Sequence, residues 1–295
     1  MSNSLHQVVC FGESLWDILP SGKQVGGAPL NVAYHLHKLG QRPAIISRIG
    51  FDDHGQQLIQ TMERHGVCTD YFQVDYNKPT GVVTGQLKNE QEMVYTIAQD
   101  AAWDHIEKET EAAQLVQQAQ YFVYGSLAAR STASAATLFS LLDLVPCKVF
   151  DMNLRAPFYN RNTLELLMNR ADILKLNIDE LELVTGWFSP LLNITDRIKS
   201  LQTRFGFRML IVTCGAKGAI VACGDEWYSC KGLPVKIADT VGCGDAFLAA
   251  LLCKQLEGAT VADSLAFANQ LAAFIGTQQG ACPDYHPADI SPQLQ

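Results

Sequence analysis

Asp239-Thr240-Val241-Gly242-Cys243-Gly244-Asp245 runs without a break into the apolar stretch Ala246 to Cys253. Glycines at 242 and 244 let the backbone turn sharply and approach a ligand with no Cβ in the way, so successive N–H groups can point at anionic oxygens. The helix that the apolar stretch predicts adds a partial positive charge of about half a unit at the same place. Asp245 falls in its first turn, where it could take a proton from a hydroxyl as that oxygen attacks a phosphate held by the glycines. Acidic residues also favour first turns because they complement the helix dipole, so an ordinary buried helix stays open from this segment alone.

Upstream the chain alternates from Gln114 onward. Tyr121 to Tyr124, Val149 to Phe150, Ile173 to Leu176 and Met209 to Thr213 are short apolar strands separated by helical stretches, the pattern of a parallel sheet covered on both faces. Ligands of such sheets gather beyond the carboxyl ends of the strands. The residues to watch are therefore Asp151, Asn153 and Arg155 after one strand, Asn177 and Glu180 after the next, and Thr213 to Gly218 after the third. Val8 to Phe11 reads as a first strand.

Between Gly12 and about residue 100 the pattern differs. Pro29 to Leu39 and Gln56 to His65 read as helices, the first opening on a proline at a favoured position. Leu15 to Leu19, Tyr71 to Val74, Gly81 to Leu87 and Met93 to Ile97 have the β-branched and aromatic content of short strands. These four are expected to form a small sheet standing off the main body.

A chain of 295 residues is long enough for a large α/β core with an appendage. Hydrophobic residues at 48% and charged residues at 18% exclude a disordered chain. The net charge of -8 and a pI near 5.3 argue against nucleic-acid or anionic-membrane partners, which need a basic face. Any anionic ligand must then be met by local devices such as helix ends or a bound cation. Met1 to Gln7 carries no basic n-region, Val8 to Phe11 is too short for a signal-peptide core, and no segment approaches the roughly 20 apolar residues of a membrane span. Nine cysteines, an odd number without a C-x-x-C pair, indicate neither a disulfide framework nor a zinc knuckle, so a reducing cytoplasm is the simplest home. His35 and His37, two apart on a predicted helix, point in different directions and are read as non-metal histidines.

Asp239 to Asp245 resembles Asp-Thr-x-Gly-Ala-Gly-Asp, the C-terminal signature of the ribokinase-like (PfkB-type) sugar kinases, with Cys243 where alanine is usual. Gly26-Gly27-Ala28-Pro29-Leu30-Asn31, continued by Leu39-Gly40 and Gly50-Phe51-Asp52-Asp53-His54-Gly55, resembles the family's other signature. Gly12-Glu13-Ser14-Leu15-Trp16-Asp17 and Asp151-Met152-Asn153-Leu154-Arg155 look most like bacterial fructokinase-like members, although D-x-N-x-R also occurs in 2-keto-3-deoxygluconate-kinase-like branches. The resemblance implies one kinase domain over 1–295, with a three-layer α/β/α core, a mostly parallel central sheet and a small β-sheet lid formed by segments within 12–27 and 70–100. It implies transfer of the γ-phosphoryl of ATP to a sugar CH₂OH, with Asp245 as base, Gly242, Cys243 and Gly244 stabilising developing charge, and Mg²⁺ bridging the ATP phosphates. K⁺ near Asp239 is a weaker implication.

The remaining candidates divide between sugar and nucleotide. Paired Gly26 and Gly27 would let a polyol approach the main chain, Asn31 offers a donor and an acceptor, and Asp17 could accept from two adjacent hydroxyls. Arg155 could make paired hydrogen bonds to a phosphate or a sugar oxygen, or simply pair with a surface carboxylate. Asn177 and Glu180 match the family's N-x-x-E motif, associated there with Mg²⁺ largely through water, and equally match a helix capping box. Thr213, Gly215 and Gly218 resemble the family's nucleotide loop, against a plain strand turn. Asn269 corresponds to a residue near the adenine in relatives, against a solvent-facing asparagine. Cys243, at a helix N-terminus, is expected to have a lowered pKa and to be reactive. The lid excludes water from the sugar, and its edges could pair two subunits. A 2-keto-3-deoxygluconate or other small-sugar or nucleoside kinase, and a catalytically silent sugar sensor, are the alternatives. A nicotinamide oxidoreductase ranks low because no G-x-G-x-x-G follows the first strand, and no G-x-x-x-x-G-K-[ST] phosphate loop is present.

Overall fold

Alternation along each strand sorts apolar side chains onto two faces of one sheet. In β1 (Val8–Phe11), Val8 and Cys10 enter one core while Val9 and Phe11 enter the other. The computed structural model describes residues 6–20, 22–89, 92–188, 190 and 193–290, and only the backbone at 86–89 and 92–94. Met1 to Leu5 of the leader reading, and Ser21, Glu90 and Gln91 of the expected lid, lie outside the described residues.

After β1 come β2 (Leu15–Leu19), β3 (Gly22–Gly26), α1 (Ala28–Lys38), β4 (Ala44–Gly50), α2 (Asp53–Arg64), β5 (Phe72–Asp75), β6 (Gly81–Asn89) and β7 (Glu92–Ile97). The second half runs α3 (Thr110–Gln118), β8 (Tyr121–Gly125), α4 (Thr132–Leu142), β9 (Lys148–Asp151), α5 (Arg161–Arg170), β10 (Ile173–Asn177), α6 (Ile178–Gly186) and α7 (Ile194–Phe205). It closes with β11 (Met209–Thr213), β12 (Ala219–Cys223), β13 (Glu226–Cys230), α8 (Cys243–Leu256) and α9 (Val261–Gly276). Among the described residues two sheets form. A nine-stranded sheet has the order β13-β12-β11-β10-β9-β8-β1-β4-β5, and a four-stranded one has β3-β2-β6-β7. In the large sheet only the β11-β12 and β12-β13 pairings are antiparallel. Helices α1, α2, α8 and α9 supply one core and α3 to α7 the other, which is the expected three-layer arrangement with a small separate sheet.

One strand sits elsewhere than expected. Tyr71 to Val74 belongs to β5, which pairs in parallel with β4 through Ser47 to Phe72 and Arg48 to Gln73, so it edges the large sheet and not the small one. The reason is the crossover: α2 returns the chain beside β4 in a βαβ unit, and Arg48 Nε reaches Asp75 Oδ2 at 2.9 Å across the pair. The place in the small sheet falls to β3, whose Gly-Lys-Gln-Val-Gly sequence has no strand signal of its own and takes its conformation from antiparallel pairing with β2.

The chain moves outward from β1 in one direction through β4 and β5, then returns to lay β8 on β1's other side. That reversal is a topological switch point, where a crevice opens beyond the strand ends. The four-stranded sheet is built from two insertions, β2 and β3 directly after β1, and β6 and β7 after β5. Helix α8 is packed deeply behind the crevice: every residue from Asp245 to Cys253 is buried. Burying each of its leucines contributes about 2 kcal/mol, which anchors the helix start in one place.

Candidate active site

The N-terminus of α8 forms the floor. Gly242 is its N-cap, with φ of 78°, and no side chain caps the helix. The left-handed conformation needs glycine, and an added Cβ would lie 2.7 Å from Ala281 Cα. The first-turn N–H groups are thus left without a side-chain acceptor, facing the crevice with the helix dipole behind them. Asp245 lies in this turn, 8% exposed.

Asn31, 214 residues away in sequence, donates Nδ2–H to Asp245 Oδ2 at 2.8 Å. The thiol of Cys282 donates to Asn31 Oδ1 at 3.3 Å, which sets the amide with its NH₂ toward Asp245. Cys282 is itself held by α1: Tyr34 Oη–H donates to the Pro283 carbonyl at 2.6 Å and His35 Nε2 bonds the Ala281 carbonyl at 2.9 Å. His35 engages its other nitrogen with Tyr285 Oη, and burial drives its pKa down to about 4, so it packs this segment as a neutral ring.

Glu13, Asp17 and Asp245 gather around one exposed guanidinium, that of Arg155. Burial pushes Asp245 up to about 6, against the pull of Lys175 and the Asn31 hydrogen bond. Burial likewise raises Asp17 to about 6 and Glu13 to about 7, with Arg155 holding both back. Gly26 and Gly27 line this group, although the need for glycine is internal. A Cβ at 26 would lie 2.3 Å from Asp17 Oδ2, and one at 27 would lie 2.4 Å from the Glu13 carbonyl oxygen. Both positions therefore require glycine for contacts within the chain itself.

On the opposite wall Lys175 places its Nζ 2.8 and 3.0 Å from the two oxygens of Asp151, with both side chains buried. Burial works against the ammonium, but Asp151, Asp245 and Glu180 outweigh it and its pKa is raised. A Cβ on Gly244 would lie 2.8 Å from this Nζ, so the cation sits directly against the start of α8. Glu180 and Asn177 form a full capping box: Asn177 Oδ1 accepts from Glu180 N–H at 2.9 Å, and Glu180 Oε2 accepts from Asn177 N–H at 2.8 Å. Glu180 Oε1 accepts from Leu154 N–H at 2.7 Å, tying α6 to the Asp151–Arg155 segment.

Asn177 stands opposite Thr213 in the β10–β11 register, so these candidates share the strand ends. Gly215 has φ of 56° and open space around it, suited to an approaching ligand. Gly218 is different: a Cβ there would lie 2.0 Å from the Cys230 carbonyl oxygen, so glycine is required by crossing backbones. Asn269 donates to the Lys231 carbonyl at 2.9 Å, binding α9 to the same segment. Asp239 Oδ1 accepts from Val241 N–H at 3.0 Å and Oδ2 from Gly280 N–H at 3.1 Å, so both its oxygens tie loops together.

Burial works against the lowered pKa expected of Cys243. Burial, then the charges of Asp239 and Asp245, push its thiol up to about 11. The helix N-terminus favours a thiolate, but desolvation and two nearby carboxylates outweigh it. Lys175, Glu13 and Cys282 are site residues that the sequence reading does not single out. Lys175 looks like one polar residue in a buried strand, and a lysine inside an apolar run beside Asn177 was the available signal. No local pattern marks Cys282.

A family model described as pfkB family carbohydrate kinase matches residues 20–288. The chain is 31% identical to "Probable fructokinase-5" of Arabidopsis thaliana, covering 94% of this chain and 93% of the relative, and 29% identical to "Fructokinase-2" of Oryza sativa subsp. japonica, covering 97% and 93%. Its fold superposes on the crystal structure of fructokinase from Vibrio cholerae O395 in the fructose-, ADP- and calcium-bound form with a TM-score of 0.85 at 25% identity, covering 99% of this chain and 100% of that one. Aminoimidazole riboside kinase from Salmonella enterica shares the fold, with a TM-score of 0.81 at 22% identity over 96% and 98% of the two chains.

Proposed function

Because the chain belongs to the PfkB family of carbohydrate kinases, we propose that it is a fructokinase, moving the γ-phosphoryl group of ATP to a hydroxymethyl oxygen of D-fructose. The observation that carries the reading is the Asn31–Asp245 pair at 2.8 Å, set at the glycine start of α8, with the Arg155 charge acting on both Asp245 and Asp17. A sugar hydroxyl enters between Asp17, Asn31 and Asp245. Asn31 occupies Oδ2 of Asp245, and the carboxylate takes the hydroxyl proton on Oδ1. The sugar oxygen then bonds to the γ-phosphorus as the bond to the bridging oxygen breaks, and ADP leaves with that electron pair. N–H groups of Gly242 to Gly244 meet the charge on the transferring group, while Lys175, paired with Asp151, holds down the pKa of Asp245.

Asn177, Thr213, Gly215, Gly218 and Asn269 shape the nucleotide side. Mg²⁺, when bound, would offset part of the charge of the ATP phosphates. Asn177 and Glu180 suit it only through water, since both Glu180 oxygens already accept backbone N–H groups and no cluster of three ligating side chains exists among the described residues. Asp239 is likewise engaged on both oxygens, so no step here passes through K⁺.

A neutral sugar fits this pocket better than a sugar acid. Three carboxyls face a single exposed arginine, and the nearby lysine is already paired with Asp151, so a substrate carboxylate such as that of 2-keto-3-deoxygluconate meets excess negative charge. The small sheet acts as the lid of a single kinase domain, closing on the sugar to exclude water. Its edge strands β3 and β7 are where a homodimer is expected. All nine cysteines are thiols, which suits a reducing cytoplasm. The test is ADP release from MgATP with fructose, ribose, glucose, tagatose, 2-keto-3-deoxygluconate and nucleosides. Turnover centred on fructose supports the assignment, and turnover centred on another member replaces the substrate.

A further inference from the structure

Glu13 lies two residues beyond the end of β1 and is 2% exposed. Its Oε1 accepts the N–H of Ala28, the first residue of α1, at 3.2 Å. Its Oε2 is buried with no hydrogen-bond partner among the described residues. The helix it touches has no cap of its own: Gly27, the N-cap, has φ of 112° and no side chain to offer. Gly27 also packs its Cα against the Glu13 carbonyl so closely that no Cβ fits, which locks the two segments together. One turn further along α1 stands Asn31, bonded to Asp245.

We propose that Glu13 is a positioning residue of this site: it supplies from outside α1 the cap that the helix lacks, and so holds the Gly26–Gly27 turn and Asn31 against Asp245. A long-range carboxyl does here what Ser, Asp or Asn at the N-cap does locally, accepting a first-turn N–H and complementing the helix dipole. Gly27 cannot be exchanged for such a residue, because its backbone conformation and its contact with Glu13 both exclude a side chain. Burial raises the Glu13 carboxyl to about 7, the negative Asp245 adds to this, and the Arg155 charge offsets part of it. These two are the charged groups that act on it, and neither is hydrogen-bonded to it. The cap survives protonation, since a proton on Oε2 leaves Oε1 free to accept from Ala28.

The role concerns the sugar half of the site and rests on the kinase reading above, so the test has one arm that needs no turnover. Three variants separate capping from charge. Glu13→Gln keeps the length and an acceptor oxygen without charge, Glu13→Asp keeps the charge but falls one methylene short of Ala28, and Glu13→Ala removes both. Glu13→Ala and Glu13→Asp are expected to raise the fructose KM by about 3- to 30-fold, the ratio that loss of a helix cap corresponds to, with the ATP KM within about twofold. Glu13→Gln is expected to recover the fructose KM to within about threefold. In parallel, amide exchange at Ala28 should quicken in Glu13→Asp and Glu13→Ala and stay slow in Glu13→Gln. Glu13→Gln as impaired as Glu13→Ala, or an Ala28 amide equally protected in every variant, overturns the proposal. If Glu13→Ala does not fold, the contrast between Glu13→Gln and Glu13→Asp decides alone. Absence of fructose turnover in the wild type would strike the fructokinase reading and leave the exchange arm intact.

Discussion

Replacing Lys175 with Met should cost both stability and activity, for separable reasons. The ammonium lies 2.8 and 3.0 Å from the oxygens of Asp151, with side chains 8% and 3% exposed. A methionine of similar length fills the volume but leaves Asp151 charged, buried and without its cation, a change that costs about 3–5 kcal/mol. Against a typical total of about 5–15 kcal/mol for a folded domain, that is a large fraction of the reserve. The same lysine holds down the pKa of Asp245, which stands at about 6 with the cation present. Asp245 acts as a base only when ionised, so turnover falls as pH drops through this value. Without Lys175 the value rises, and the acid limb of the kcat profile moves to higher pH. Urea denaturation near neutral pH reads the first effect and kcat across the acid limb reads the second. Adding Asp151→Leu should return most of the lost stability, because the orphaned charge is gone, and should move the limb part of the way back, because the Asp151 charge raises the pKa of Asp245. A Lys175→Met enzyme within about 1 kcal/mol of wild type, with its acid limb unmoved, refutes this account of the buried pair.

Gly242→Ala should abolish measurable turnover, since the residue has φ of 78° and an added Cβ would lie 2.7 Å from Ala281 Cα; a variant with wild-type kcat would show that the α8 start is not held there. Cys243, with its thiol up at about 11, should react with a disulfide reagent at neutral pH much more slowly than an exposed cysteine, as mass spectrometry of labelled protein can check. Asp245 is raised in the fold from 3.8 to about 6, so its stabilising share is present below the unfolded pKa and lost as pH rises through about 6. Asp245→Asn should therefore be more stable than wild type near pH 8 by on the order of 2–3 kcal/mol, with the gain shrinking toward pH 5; calorimetry showing a less stable variant near pH 8 would contradict this.

Much of this molecule is legible in its sequence because local patterns and long-range structure agree. The apolar strands from Tyr121 onward are buried on both faces, and so read as runs whose order and separation already imply a covered parallel sheet. The Gly242–Asp245 segment is legible because a left-handed turn, an uncapped helix start and a first-turn carboxylate each demand particular residue types. Pairing is less visible. Tyr71 to Val74 looks like any short strand, and only the α2 crossover decides that it joins β4. Conversely, β3 carries no strand signal, and its neighbour β2 makes it one. The site residues that escape a sequence reading are those defined by a partner elsewhere in the chain: Lys175 by Asp151, Cys282 by Asn31, Glu13 by Ala28. The Cys243 thiol departs from its expected low pKa for a related reason, because a helix terminus can be read locally while desolvation cannot.

The central claim is that Asp245 is the base of a phosphoryl transfer to fructose. It is tested most directly by kcat of Asp245→Asn with saturating fructose and MgATP, alongside ATP affinity measured without sugar. The account predicts a fall in kcat of about 10²- to 10⁴-fold with ATP binding largely retained. Turnover close to that of the wild type would remove Asp245 from the chemistry and contradict the mechanism.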